Sequence, residues 1–278
     1  MRQAKVSISI PTYNSAIFLK KCLEAIAQQS YANIEVNIVD GESHDGTVAI
    51  AREHGVKNIF TCKDALLSAR FEGVWHSKGD FVLLLDSDQI LNKSAIARAV
   101  QLCEKEDFDM LVLEEGVYNP QSFIERLFQQ DRKLIHQVKD FSPFTGVVLP
   151  RFYRKSLLLK AMKNIPEETR KAVGGQDHAI IYFEAWNISQ KVGFLPDAVL
   201  HIEPNSLKTI WKKFYRWGGT SVGARYGKYD EMLNKKERFR TGLFKKGLMR
   251  ESLASILLLI LKGVPYKLGY YRAKLSTK

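Results

Sequence analysis

Two carboxylates stand directly after an apolar segment in the first third of the chain. Residues 81–85 are Phe-Val-Leu-Leu-Leu, and Asp86-Ser87-Asp88 follows at once. Such a run is typical of a buried strand, and in an open α/β sheet ligands bind at the carboxyl ends of strands. Two hard oxygen ligands there would suit Mg²⁺ or Mn²⁺ holding a diphosphate. A solvated turn after a strand is the alternative interpretation.

Four further segments hold polar residues at comparable places along the chain. They are Ser9-Ile10-Pro11-Thr12-Tyr13-Asn14, Val39-Asp40-Gly41-Glu42-Ser43-His44-Asp45-Gly46-Thr47, Ser68-Ala69-Arg70-Phe71-Glu72-Gly73 and Gly174-Gly175-Gln176-Asp177-His178. The first two follow predicted strands, and the third lies on a predicted helix. The fourth directly precedes a helical pattern.

The elements that would position these segments alternate between strand and helix. Strands are predicted at 6–10, 34–39, 57–61, 81–85, 110–114 and 198–200, and helices at 47–54, 65–76 and 178–186, with further helices beginning near Ser15 and Ser94. This alternation predicts an α/β fold with a mostly parallel sheet flanked by helices.

The positive charge of the chain is concentrated at its end. The net charge is +12 over 278 residues. Residues 205–278 hold 18 Lys and Arg against 4 Asp and Glu, whereas residues 1–204 hold 24 against 26. We therefore predict a catalytic domain over 1–204 and a basic helical tail over 205–278.

The tail has the pattern of a basic amphipathic helix. Its apolar residues recur every three or four positions, at Leu207, Ile210, Trp211, Phe214 and Trp217. Such a helix can pack on the catalytic domain or lie on an anionic membrane surface. Nucleic acid is disfavoured, because no nucleic-acid-binding module is present and the remainder of the chain is acidic. The longest apolar run, Leu253–Leu261, is expected to be too short to span a bilayer.

Two features favour a cytoplasmic protein at the inner face of a membrane. Cys22, Cys62 and Cys103 are odd in number and lack metal-type spacing, which favours a reducing compartment. Met1–Lys5 runs straight into a predicted strand, without a signal-peptide pattern.

In their order and spacing, the five segments resemble the inverting family-2 glycosyltransferases of the GT-A fold. The resemblance covers roughly residues 5–205 and implies a Rossmann-like GT-A domain. It also implies a UDP- or GDP-sugar donor, Mn²⁺ or Mg²⁺ as cofactor, and a hydroxyl acceptor. The acceptor is expected to be a saccharide or, more specifically, a lipid-linked glycan. The alternatives are a polyprenyl-phosphate sugar synthase and a nucleotide-sugar-binding protein without turnover.

The resemblance also implies roles for residues of the donor site. Pro11 and Tyr13 would border the nucleotide, with the Tyr13 ring stacked on the base. Asp40 would accept a hydrogen bond from the base, although the family usually has Asp-Asp-Gly-Ser where this chain has Asp-Gly-Glu-Ser. Arg70 would lie near the diphosphate and Asp86 near the ribose. A packed tyrosine and a surface arginine are the competing interpretations.

The remaining roles concern the metal and the base. Asp86, Asp88 and His201 would face the metal, with Asp88 bound directly to it. Asp177 would be the general base that activates the acceptor hydroxyl. The family has Glu-Asp at this place, whereas Gln176 precedes Asp177 here. A helix cap is the alternative role for Asp177.

Overall fold

An eight-stranded sheet forms the centre of the computed structural model, which describes residues 2–137, 140–144, 148–222, 227–238 and 247–276. Its strands are β1 (Val6–Thr12), β2 (Ile34–Asp40), β3 (Asn58–Thr61), β4 (Phe81–Leu84), β5 (Gln89–Leu91), β6 (Met110–Val117), β7 (Phe152–Arg154) and β8 (Val192–His201). Their spatial order is β3-β2-β1-β4-β7-β6-β8-β5. The first four strands in this order are parallel, as are β6 and β8, while β7 and β5 run antiparallel to their neighbours. The predicted mostly parallel sheet is confirmed.

Helices cover both faces of this sheet. They are α1 (Ala16–Ala27), α2 (Thr47–Glu53), α3 (Leu66–Trp75), α4 (Ala95–Lys105), α5 (Phe123–Ile135), α6 (Lys155–Lys163), α7 (Glu167–Ala172), α8 (Asp177–Trp186), α9 (Leu207–Thr220), α10 (Asp230–Arg238) and α11 (Met249–Ser276). The predicted helices correspond to α1–α4, α8 and the tail helices. The elements β5, α5, β7, α6 and α7 are additions to those predicted.

The central strand β4 is apolar on both faces because it separates two cores. Phe81 and Leu83 pack with α1 and α4, and Val82 and Leu84 pack with α6 and α8. Burial of both faces is why this strand reads as a continuous apolar run rather than an alternating one. All three cysteines are buried and free.

Helix α3 approaches the sheet closely at Gly73. A Cβ at this position would lie 2.0 Å from Ser9 Oγ of β1, so only glycine allows the approach. Arg70 lies one turn earlier on the same helix face, and its side chain is buried at the strand ends. The close approach of α3 therefore helps to fix the position of Arg70.

The basic tail packs on the rest of the chain through α5. Ile124 and Phe128 of α5 share a buried cluster with Phe214 of α9 and Leu258 of α11. The helices α9 and α11 also touch through their backbones, because a Cβ at Gly218 would lie 1.9 Å from the carbonyl oxygen of Tyr266. The tail is thus a helical layer against the sheet domain. The division into a catalytic domain over 1–204 and a tail over 205–278 stays a prediction.

Helix α11 corrects one expectation from the sequence. The apolar run Leu253–Leu261 is short by itself, but it lies in a single helix of 28 residues. Within this helix an 18-residue window has a mean hydropathy of 1.4, with 33% of the window buried in the fold. By length and composition alone, α11 is therefore sufficient to cross a membrane.

Candidate active site

The parallel strands β1, β2 and β4 end at one edge of the sheet, and the predicted site residues follow these ends. Thr12 lies opposite Asp40 in register, and its hydroxyl donates to Asp40 Oδ1 at 2.7 Å. Ser43 donates to the same carboxylate through its hydroxyl and its backbone N–H, each at 2.7 Å. Asp40 is only 3% exposed. In this structure it ties two loops together, and its contact with a nucleobase stays a prediction.

Tyr13 extends from the same pair of loops, and 59% of its surface is exposed. A Cβ at Gly41 would come within 3.4 Å of the ring atom Cδ2, so a small residue lies beside the ring. Pro11 is buried at the end of β1. The exposed ring is thus available for stacking, as expected of a base-binding residue. The alternative of a packed tyrosine does not describe this side chain.

Asp86 lies between two arginines just beyond β4. Its Oδ1 accepts from Arg70 Nη2 at 2.5 Å and its Oδ2 from Arg151 Nη1 at 2.9 Å. Burial alone would raise the pKa of this carboxyl, but Arg70, Arg151 and His178 hold it well below its ordinary value. Asp86 is therefore an anion with both oxygens already engaged.

Arg70 joins Asp86 to Asp177, the predicted base. Its Nε donates to Asp177 Oδ2. Burial opposes ionisation of Asp177, but Arg70 outweighs it and lowers the pKa of the carboxyl. Arg70 is 1% exposed and, within the described part of the chain, its Nη1 has no hydrogen-bond partner. A buried, unused guanidinium donor is suited to an anionic ligand. Arg70 is consequently not the surface arginine of the competing interpretation.

Asp177 is the first residue of α8 rather than its cap. Gln176 occupies the N-cap position with a φ of 68°, and no side-chain cap bond forms there. The Asp177 carboxylate turns instead towards Arg70. The helix-cap alternative for Asp177 is therefore not what the structure shows.

His178 adds a neutral imidazole beside the two aspartates. Burial, followed by the charges of Arg151 and Arg70, lowers its pKa to about 4. Arg151 Nη1 donates to His178 Nε2, and this requires an unprotonated Nε2 because arginine can only donate. His178 is thus uncharged near neutral pH.

Asp88 lies in a separate environment from Asp86. Its Oδ1 is 3.4 Å from His201 Nε2, and its Oδ2 is 3.5 Å from Lys213 Nζ of α9. Glu203 lies 3.6 Å from the other imidazole nitrogen. Burial opposes the charge on Glu203, but Arg132 and His201 lower its pKa to about 2. A tail helix therefore contributes directly to the site.

Two of the three predicted metal ligands come together, namely the carboxylate of Asp88 and the imidazole of His201. Asp88 and His201 are adjacent, whereas Asp86 is held by its two arginines. Among the residues that the structure describes, no three His, Cys, Asp or Glu side chains form a metal site. The donor set fits a cation that takes its remaining ligands from a diphosphate and water.

Several residues of the site were absent from the sequence-based prediction. Ion pairs and carboxylate–imidazole contacts form a continuous chain from the base to the tail, in the order Asp177, Arg70, Asp86, Arg151, Glu115, Arg132, Glu203, His201, Asp88 and Lys213. Glu115 carries the clearest missed signal, because it is one of two adjacent acids, Glu114 and Glu115, inside the otherwise apolar strand β6. Arg151 and Lys213 have no comparable signal, since only the fold brings them to the strand ends.

Comparison with known proteins agrees with this geometry. The family model described as Glycosyl transferase family 2 matches residues 7–173. Poly(ribitol-phosphate) beta-N-acetylglucosaminyltransferase TarS of Staphylococcus aureus is 25% identical over 178 residues, which are 60% of this chain and 30% of TarS. The chain spans well under half the length of the first curated relatives that it matches.

Two solved structures share the fold. S. aureus TarS in complex with UDP-GlcNAc superposes with a TM-score of 0.58 and 20% identity, covering 92% of this chain and 79% of that one. Mannosyltransferase PcManGT from Pyrobaculum calidifontis, in complex with GDP-Man and Mn²⁺, gives a TM-score of 0.59 and 18% identity, covering 100% and 81%. These likenesses establish the GT-A architecture, and the family match covers more than half of the chain. The chain therefore belongs to glycosyl transferase family 2.

Proposed function

We propose that this glycosyltransferase transfers a sugar from a UDP- or GDP-sugar to a hydroxyl acceptor, with metal dependence and inversion at the anomeric carbon. One observation carries the proposal: Asp177 is held by Arg70, which also holds Asp86, whereas Asp88 has different partners, His201 and Lys213. The carboxylate proposed to bind the metal, Asp88, thus has different partners from the carboxylate proposed as the general base, Asp177. The neighbours that bind UDP-GlcNAc and GDP-Man support a nucleotide-sugar donor.

The donor would lie along the ends of β1, β2 and β4. Tyr13, which closely follows the buried Pro11 in sequence, offers an exposed ring for the base, and Asp40 supports the adjoining loop. Arg70 has a free Nη1 donor for a phosphate oxygen. Asp86 holds Arg70 in place and would border the ribose.

Asp88 and His201 would hold Mn²⁺ or Mg²⁺. When bound, the ion offsets negative charge on the departing nucleoside diphosphate. Asp86 acts through Arg70 and Arg151, because both of its oxygens already accept hydrogen bonds from these arginines.

Asp177 would remove the proton from the acceptor hydroxyl. As that oxygen forms its bond to the anomeric carbon, the bond to the diphosphate breaks on the opposite face, so the configuration inverts in one displacement. Asp177 is ionised at neutral pH because Arg70 lowers its pKa. Neutral His178 beside it adds no positive charge that would weaken the base further.

A lipid-linked glycan is the acceptor that best fits the site and the tail together. A polyprenyl phosphate offers an oxygen that is already ionised and needs no base, so the retained carboxylate of Asp177 favours a hydroxyl. The tail has a net charge of +14, which suits the anionic cytoplasmic face of a membrane. We therefore propose that the enzyme works at that face, in peripheral contact with the lipid.

Calorimetric titration of UDP and GDP, each with and without Mn²⁺, tests the proposal. We expect one nucleotide to bind more tightly with Mn²⁺, and Asp88→Asn to remove this metal effect. Asp107→Asn is the matched control, because the side chain of Asp107 is 71% exposed and its ion pairs are with Arg154 and Lys191. Nucleotide binding that is indifferent to Mn²⁺ in the unaltered protein would refute metal dependence.

A further inference from the structure

Helix α11 exposes a continuous row of apolar side chains. We name this row the α11 stripe, and its members are Met249, Leu253, Leu257, Ile260, Val264, Leu268, Tyr271 and Leu275. Their exposed fractions range from 39% to 74%. The spacing repeats every 11 residues, which keeps the row on one side of the helix over a span of about 39 Å. Soluble proteins rarely expose an apolar surface of this length, so the α11 stripe points to a binding surface.

The opposite face of α11 packs against the rest of the protein. Ala254 and Leu258 are buried against α5, and Lys262 Nζ lies 3.3 Å from Asp131 Oδ2 of α5. Ser255 donates to the same carboxylate. A helix that crossed a bilayer would have to give up this buried ion pair and its apolar contacts. The α11 stripe is therefore free to meet lipid only if the helix lies along the membrane surface.

The charges beside the α11 stripe identify the partner. At about 100° per residue, Lys267 and Lys274 lie along one side of the stripe, and Arg250 and Arg272 lie along the other. All four are exposed. Glu251 is the single acid of α11, and helical periodicity places it on the far side from the stripe. An apolar row between two rows of cations complements an anionic lipid surface.

The same charges disfavour a second copy of the chain as the partner. Two α11 helices packed stripe to stripe would bring the flanking cations of both copies to one interface. No acid among the described residues of α11 lies beside the stripe to offset their repulsion. An anionic lipid surface can contact the apolar side chains of the α11 stripe and also attract the cations that flank it.

From these contacts we infer that α11 is a monotopic membrane anchor, with the α11 stripe in the headgroup region of an anionic bilayer. The inference rests on the proposed membrane-bound acceptor and names the surface that meets the membrane. Helix α9 packs directly on α11 and carries Lys213 to Asp88. Neighbouring helix axes lie about 8–10 Å apart, so this arrangement holds the donor site close to lipid-linked acceptors.

Flotation with vesicles tests the anchor on the full chain. Vesicles of phosphatidylcholine alone are compared with vesicles containing phosphatidylserine, at low and high salt. We expect binding to require phosphatidylserine and to weaken with salt. In the double variant Leu257→Asp/Val264→Asp, the fraction bound should fall by about tenfold or more, because two apolar contacts with lipid are lost.

The control is Ile17→Asp/Ile188→Asp, which places two acids at exposed apolar residues outside the tail. Its flotation should match the unaltered protein, and both double variants should keep their thermal unfolding midpoint. Equal flotation of the two double variants would overturn the inference. So would resistance of the bound protein to alkaline carbonate, which indicates a spanning helix, or a dimer that Leu257→Asp/Val264→Asp converts to monomer in analytical ultracentrifugation. Nucleotide binding is measured separately. If Leu257→Asp/Val264→Asp loses flotation but still binds nucleotide, only the anchor is lost, whereas absent nucleotide binding in the unaltered protein would count against the proposed reaction.

Discussion

The sheet-edge site and the α11 surface use cations in opposite ways. At the site, Arg70, Arg151 and Arg132 are largely buried, and each holds two carboxylates. Beside the α11 stripe, the cations Lys267 and Lys274 are exposed and border apolar side chains. Buried charges require close partners, whereas exposed charges act through their long-range field. Cationic side chains thus fix the positions of carboxylates in one region and attract an anionic partner in the other.

The largest effect should come from the base. Asp177→Asn removes the proton acceptor and should lower transfer to a hydroxyl acceptor by about 10²–10⁴-fold. Donor binding measured by calorimetry should change little, because Asp177 contacts Arg70 and not the proposed metal ligands. Single-turnover transfer assays check the rate.

The control for this prediction is Asp64→Asn, an exposed carboxylate just before α3. Thermal unfolding must accompany the assays, because removing one partner from the buried Arg70–Asp177 pair also costs stability. A folded Asp177→Asn enzyme with near-normal transfer would show that Asp177 serves only to position Arg70.

A smaller effect should appear in how the free energy of unfolding of the protein depends on pH. The pKa of His178 is lowered from 6.5 to about 4 by burial and by Arg151 and Arg70, so the folded state binds fewer protons than the unfolded state. Stability from this group is therefore lost as pH falls below 6.5. Between about pH 7.5 and 5 the loss should reach about 2 kcal/mol.

Urea unfolding at these two pH values measures that loss. In His178→Gln, whose neutral amide can still accept from Arg151, the free energy of unfolding should depend less on pH over this window. Carboxylates with lowered pKa values, such as Glu203, lose their contribution mainly below this range. An unchanged pH dependence in the variant would mean that His178 is not buried as a neutral group.

The smallest effect should come from the contact that joins the two regions. Lys213 lies 3.5 Å from Asp88 and competes with a cation for that carboxylate. Lys213→Ala should therefore tighten binding of Mn²⁺ in the absence of nucleotide by up to about fivefold, since a partly exposed ion pair is worth about 1 kcal/mol or less. Electron paramagnetic resonance of free Mn²⁺ measures the change. Lys212→Ala, at the exposed neighbour, should have no effect, and equal affinities in both variants would exclude the competition.

The local elements around the site were predictable because their signals are local. The apolar run of β4 and the periodicity of α1 and α4 are properties of contiguous residues. The roles of Asp88 and Asp177 were suggested by short motifs in a known order, and they stay predictions about chemistry. In contrast, the apolar run Leu253–Leu261 did not predict the 28-residue length of α11, because the length of a helix depends on residues beyond its apolar run.

The sequence by itself determined the alternation of strands and helices, the place of Asp86 and Asp88 after a strand, and the concentration of positive charge in the tail. Tertiary structure alone showed that Asp86 lies between Arg70 and Arg151, and that Lys213 reaches Asp88 from α9. These partners are between 16 and 125 positions apart along the chain. Pairing over such separations depends on how the sheet and helices pack, and no local pattern of residues encodes it.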